Sequence, residues 1–132
     1  MISDLLDNKS SADFSITGLD LKEAQIRVLM RAVSKNKTLK TLSLSRKKIS
    51  DDDGVDICEC LMDNMCLEKL ELEGNNLGPK TAEAIAKLIT ANPFIRTIDL
   101  ENNDLTVSAK EHKGILSLAK VSSFDEKSSK FI

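Results

Sequence analysis

Apolar residues along this chain follow two alternating periods. Leu39, Leu42 and Leu44 are answered by Leu67, Leu70 and Leu72, and again by Ile95, Ile98 and Leu100, each residue one constant interval after its counterpart. Ile49, Leu77 and Leu105 trail the three trios at one constant offset. A fixed period of this length points to stacked copies of one strand-and-helix unit, each burying its apolar side against the next. Stepping back once more reaches Phe14, Ile16 and Leu21 in equivalent places, with Ser11 where the first leucine belongs, so a degenerate copy precedes the clear ones. Within a trio the spacing is that of a strand, and between trios it moves toward 3.6 residues. Leu29, Ala32 and Val33 then match Ile57, Cys60 and Leu61, and Ile85, Leu88 and Ile89, each set on one face of a predicted helix. Strand and helix faces together make the predicted core.

The polar punctuation fits these elements. Asp20-Leu-Lys-Glu23 and Ser50-Asp-Asp-Asp53 place an oxygen-bearing cap three residues before an acid, and Gly78-Pro79 puts proline at a first helical position. Asn36, Asn64 and Asn92, which recur with the same period, are expected to end each helix in the left-handed conformation that asparagine tolerates.

Leu67-x-x-Leu70-x-Leu72-x-x-Asn75-x-Leu77 and Ile95-x-x-Ile98-x-Leu100-x-x-Asn103-x-Leu105 resemble the consensus of the leucine-rich-repeat family. Lys47 and Leu19 stand where the first two copies should carry that asparagine, so its side-chain ladder is not expected there. A strand plus a full helix in each copy, and the phrase Asn36-Lys-Thr-Leu39-Lys-Thr-Leu42-Ser-Leu44, resemble the ribonuclease-inhibitor-like subclass, to which tropomodulin-type repeats and the Ran GTPase-activating protein also belong. The resemblance implies an α/β fold: a short leucine-rich-repeat solenoid of about four repeats, with a parallel concave sheet and convex helices. Residues 1–10 are expected to cap the N-terminal end, with Ile2, Leu5 and Leu6 on one side of a short helix. Residues 11–120 form the repeat domain, with repeats starting near 11, 39, 67 and 95 and a last helix through Ile115, Leu116, Leu118 and Ala119. Residues 121–132 are read as a C-terminal cap or tail.

Composition narrows the partner. The chain is 132 residues long with net charge −2, four Phe, and no Trp or Tyr, so no aromatic platform or basic balance favours nucleic acid. No segment approaches the roughly 18 apolar residues that cross a bilayer, and the first residues lack a secretory pattern. Three cysteines make an odd count that suits a reducing compartment, so the expected location is cytoplasmic, with a cytoskeletal or ciliary setting as the special case.

The same resemblance implies where partners bind, because in this family the non-consensus strand residues face the concave surface. They are Asp13, Ser15 and Thr17; Thr41, Ser43 and Ser45; Lys69, Glu71 and Glu73; and Thr97, Asp99 and Glu101. Adjacent strands lie about 4.8 Å apart, so Glu71, Glu73, Asp99 and Glu101 are expected to form an acidic cluster beside a neutral Ser/Thr half. A protein partner with a basic segment would suit it. No residue is assigned to catalysis, a metal or a cofactor. Cys58 and Cys60, two apart on a helix, diverge by roughly 160°, and Cys60 is read as a small core residue. His112 lies in the polar stretch Lys110-Glu-His-Lys113 and is read as helix surface. Asp51-Asp52-Asp53-Gly54 lacks the glutamate of a calcium loop and is read as the acidic first turn of a helix. The glycines are read as turn residues, and the basic run Arg46-Lys47-Lys48 as a solvated loop. The expected function is a non-enzymatic protein-protein interaction module acting through the concave sheet and rim loops. The alternatives are a structural subunit of a cytoskeletal or ciliary assembly and, third, a GTPase activator.

Overall fold

A computed structural model describes residue 7, residues 23–107, 110, 113, 114 and 116, and the strand backbones at 13–15, 124–125 and 130–131. Four short strands, β1 (Asp13–Ser15), β2 (Thr41–Ser43), β3 (Lys69–Glu71) and β4 (Thr97–Asp99), lie parallel in sequence order. Three helices alternate with them: α1 (Glu23–Lys35), α2 (Asp51–Leu61) and α3 (Pro79–Ala91). The strand register is the sequence period itself, with Thr41 beside Lys69 and Lys69 beside Thr97. Backbone pairing runs on past the strands, where Leu44 N donates to Glu71 O, Arg46 N to Glu73 O, Leu72 N to Asp99 O and Gly74 N to Glu101 O. Two further strands, β5 (Phe124–Asp125) and β6 (Lys130–Phe131), pair antiparallel with each other, and β6 lies antiparallel to β4 with Lys130 opposite Asp99. The expected N-terminal cap, the first helix cap at Asp20 and most of the last helix fall outside the described residues.

The trios form the floor of the core. Leu39, Leu42, Leu44, Leu67, Leu70, Leu72 and Ile98 are completely buried, and Leu100 almost so. Each such side chain contributes roughly 1.5–3 kcal/mol by leaving water. The helices roof this layer with Leu29, Val33, Ile57, Leu61, Ile85 and Leu88. Contrary to the sequence expectation, Cys58 and not Cys60 is the buried cysteine, because α2 turns Gly54, Ile57, Cys58 and Leu61 inward. Cys60 is left half-buried beside Ile26, Met30 and Arg31 in the furrow between α1 and α2. Ile89 is likewise only partly buried.

The asparagines that follow the helices also depart from expectation. Neither Asn36, Asn64 nor Asn92 has a positive φ, and Asn92 is extended at φ −118 and ψ 99. All three are instead buried to 2–3% exposure, and the amides of Asn64 and Asn92 tie one repeat to the next. Asn64 Nδ2 donates to Val33 O (2.9 Å) and Asn36 O (3.4 Å), and its Oδ1 accepts from Cys66 N (2.9 Å) and Leu67 N (2.8 Å). Asn92 repeats the pattern, with Nδ2 to Leu61 O and Asn64 O and Oδ1 from Phe94 N. Asn36 Oδ1 likewise accepts from Thr38 N and Leu39 N. A buried carbonyl or N–H without a partner is costly, and one amide here supplies partners for up to four.

The consensus asparagines do the same work at the other end of the strands. Asn75 Oδ1 accepts from Lys47 N and Ile49 N while Nδ2 donates to Leu44 O and Leu72 O. Asn103 bonds Leu77 N and Leu72 O in the same manner. Replacing Asn64 by Ala removes at once the donor to Val33 O and Asn36 O and the acceptor for Cys66 N and Leu67 N. The expected loss is at least about 2 kcal/mol, read as a lower midpoint in urea at unchanged m-value.

Candidate functional site

Strand alternation puts the predicted binding residues on the face opposite the buried leucines. Thr41, Ser43, Ser45, Glu71, Glu73, Thr97, Asp99 and Glu101 are partly exposed and Lys69 is exposed. Three rows cross the sheet: Thr41, Lys69 and Thr97; Ser43, Glu71 and Asp99; and Ser45, Glu73 and Glu101, the last row held by the backbone bonds beyond the strands. Asp13 and Ser15 start the first two rows in the backbone register of β1, and Thr17 lies outside the described residues.

The carboxylates are not left as a bare repulsive patch. Arg46 Nη2 reaches Glu73 Oε1 at 3.1 Å, and Asn102 Nδ2 approaches the same oxygen at 3.3 Å. Lys69 Nζ lies 3.6 Å from Glu71 Oε2. Asp99 Oδ1 accepts from Glu101 N at 3.0 Å, fixing that carboxylate close to its own backbone. These ion pairs are largely solvated and individually weak, but they orient the acids along the sheet. Beyond Asp99 the next backbone in the sheet is Lys130 of β6, so the acidic columns have a lysine position at their outer edge.

The sequence pattern does not reveal how the turn after each strand presents these groups. Arg46, Gly74 and Asn102, at one position of successive repeats, all lie in the left-handed region at φ 57, 69 and 56. A Cβ on Gly74 would come within 2.9 Å of Arg46 Cγ, so glycine at this point both accepts the turn and makes room for the arginine. Glycine and asparagine at two of the three positions are the available signal. Arg46 takes this conformation without that advantage, at a cost of about 1–2 kcal/mol, and its guanidinium lands on Glu73.

The acidic run at the start of α2 has a structural task that spacing alone does not disclose. Ser50 caps its own helix, accepting from Asp53 N at 3.2 Å. Asp51 caps the following one. Its carboxylate accepts from Gly78 N (2.9 Å), Lys80 N (3.2 Å) and Thr81 N (2.8 Å), at the end of α3 where glycine offers no side-chain cap. Thr81 Oγ1 lies 2.7 Å from Asp51 Oδ1 and 2.9 Å from Asp51 O and shares its proton between them. Gly54 lies inside α2 and not at a turn, because a Cβ there would overlap Thr81 Oγ1. Burial by itself would raise the Asp51 carboxyl, but the bonds from Thr81, Gly78 and Lys80 outweigh it and hold the group below the ordinary aspartate value.

Thiol chemistry finds little support in these surroundings. Burial, helped by Glu59, pushes the Cys58 thiol up to about 12, and burial with Asp56 and Glu59 also raises Cys60. Both are protonated near neutrality and poor nucleophiles. Among the described residues no group of His, Cys, Asp and Glu is arranged to hold a metal ion, and no helix is long and apolar enough to cross a membrane. His112 lies outside the described residues.

A parallel sheet with a helix after each strand, a register equal to the sequence period and amide ladders between repeats define a protein class. The leucine-rich-repeat family profile matches residues 35–58 and 63–86, two windows offset by the same period. The chain is similar to the ribonuclease inhibitor of Sus scrofa, 33% identical over 92 residues, and to a Cep78 homolog of Drosophila melanogaster, 29% identical over 102 residues. These alignments cover 69% and 76% of this chain but only 20% and 12% of those proteins. In fold it matches the C-terminal domain of tropomodulin from Caenorhabditis elegans, with a TM-score of 0.77 and 19% identity over 90% of this chain and 71% of that one. It also matches leiomodin-1 actin-binding site 2, with a TM-score of 0.70 and 16% identity over 79% of this chain and 60% of that one. The chain carries leucine-rich repeats of the ribonuclease-inhibitor-like type.

Asp51 supplies a test with a definite pH dependence. Its folded pKa is depressed, so its contribution is complete above the ordinary value of 3.8 and is lost as pH falls through the lower folded value. At pH 7, Asp51→Ala is expected to cost about 1–2 kcal/mol, as loss of a helix cap does. The gap between variant and wild type should close below about pH 4 in denaturant titrations. A gap that widens on acidification would assign the cap elsewhere.

Proposed function

We propose that this chain is a non-enzymatic module that holds a protein partner against the outer face of its sheet and the adjoining loops. The observation that carries the reading is the alignment of Glu71 with Asp99 on neighbouring strands, with Glu73 and Glu101 one row further on and a neutral Ser/Thr half beside them. Carboxylates set at strand spacing offer a basic helix or loop several simultaneous contacts, and short three-residue strands hold them on a rigid frame. Lys69, Thr41, Ser43, Ser45 and Thr97 complete the surface as hydrogen-bonding neighbours. Lys69 and Arg46, each on one carboxylate, would be displaced by a partner's cations or would accept its acids at the margin. Catalysis, a bound metal and a cofactor have no part in this reading, and neither does GTPase activation, for which only the position of the exposed Arg46 in its loop would speak.

A second reading places the chain as a subunit of a cytoskeletal assembly within the cytoplasm. It draws on the likeness in fold to leiomodin-1 actin-binding site 2 and to tropomodulin. Co-sedimentation with actin filaments would separate it from a general adaptor.

The primary reading is tested by reversing both central charges. Glu71→Lys with Asp99→Lys should abolish capture of the partners that the wild type retains by affinity purification and mass spectrometry, with an unchanged circular dichroism spectrum. Capture of the same partners by the folded variant would eliminate the acidic face as the binding surface.

A further inference from the structure

The loops that lead into the strands form a second surface of opposite character. Met65 is 71% exposed and Phe94 45% exposed, both in loops between a helix and the next strand, with exposed Pro93 between them. The two loops are fastened side by side, because Asn92 Nδ2 donates to Asn64 O at 2.7 Å. Met65, Pro93 and Phe94 are therefore exposed apolar side chains on two neighbouring loops of one rim, and apolar exposures gathered in one place mark contact sites. Across the three stacked loops, 35–40, 63–68 and 91–96, the charges are Lys35, Lys37, Lys40 and Arg96 against Asp63 and Glu68. Lys35 answers the α1 dipole, and Lys40 lies 3.8 Å from Glu68 with both side chains half exposed, a contact of little strength. This rim carries an excess of positive charge, the reverse of the acidic rows at the other end of the strands.

The backbone of this rim decides what shape of partner it accepts. Cys66, Leu67 and Phe94 have given their N–H groups to asparagine side chains. Glu68 and Lys69 have given theirs to Lys40 O, and Arg96 and Thr97 to Glu68 O. An extended peptide would find few donors to pair with, whereas a helix satisfies its own backbone and binds by side chains alone. The repeat spacing of about 5 Å also matches the separation of i, i+3 and i+4 side chains on a helix. We infer that this rim docks an amphipathic helix of a partner protein, apolar on the side that meets Met65 and Phe94 and flanked by acidic residues. The inference shares with the function proposed above only the premise of a binding module, and uses a different surface.

The test uses the full chain and two synthetic peptides of about 18 residues, long enough to hold a helix, with the same Leu/Phe stripe flanked by Glu in one and by Lys in the other. The chain has four methionines, so methyl labelling gives a simple spectrum in which Met65 can be assigned. The Glu-flanked peptide should shift the Met65 methyl signal and the Lys-flanked peptide should not. Phe94→Ser should weaken the Glu-flanked peptide by about tenfold or more, the usual effect of removing an aromatic anchor, and Arg96→Glu should weaken it too. Glu71→Lys with Asp99→Lys should leave this affinity unchanged, so failure of the acidic face and failure of the rim are separate results. No Met65 shift, an equal response to both peptides, or indifference to Phe94→Ser would overturn the inference.

Discussion

Among the described residues, the connections between strands and helices run along the interior edge of the stack, and there the backbone depends on asparagine amides. Asn36, Asn64 and Asn92 serve one rim and Asn75 and Asn103 the other; Asn64, Asn92, Asn75 and Asn103 each bond both their own and the preceding repeat, and Asn36 accepts from the N–H groups of its own loop. A solenoid has no distant contacts to stabilise a poorly bonded loop, since each repeat touches only its neighbours. Unsatisfied polar groups at the junctions would offset the burial of the leucines beneath them. The amide columns remove that penalty and also set the spacing at which one repeat stacks on the next.

The rest of the structure follows from that spacing. With the junctions fixed, the trios of apolar residues overlay from one repeat to the next and the alternate strand residues must form straight rows on the other face. Asp51 reinforces the same step on the helix side by capping α3 from α2, and Gly54 lets the two helices come close enough for Thr81 to reach it. The acidic rows and the apolar rim are then two consequences of one frame, at opposite ends of strands only three residues long. On the two proposals above, opposite chemistries at the two ends would let a single chain engage two segments of a partner, or two partners, without competition.

Much of the fold can be read directly because the apolar period is strict: Leu39, Leu67 and Ile95 are interchangeable in role and all lie inside. What the period cannot convey is anything decided between repeats. The recurrence of Asn36, Asn64 and Asn92 is visible, but asparagine suits both a left-handed turn and a buried hydrogen-bonding amide, and only burial chooses between them. Asp51 looks like an ordinary first-turn acid because its partners lie 27 to 30 residues downstream. Cys58 and Cys60 exchange places because residues at the margin of a helical stripe are settled by how the neighbouring helix packs. For the candidate site, membership of the three rows is legible from alternation. The clamp of Arg46 and Asn102 on Glu73 is not, since it depends on a left-handed turn that arginine seldom adopts.

Native-state hydrogen exchange at the junction between the second and third repeats tests the central role of the amides most directly. If Asn64 binds the repeats together, the N–H groups of Cys66 and Leu67, which end on its side chain, should exchange only when the whole array unfolds, with the opening free energy found by denaturant. Exchange at the rate of an open surface loop, while the strand amides stay protected, would contradict the account.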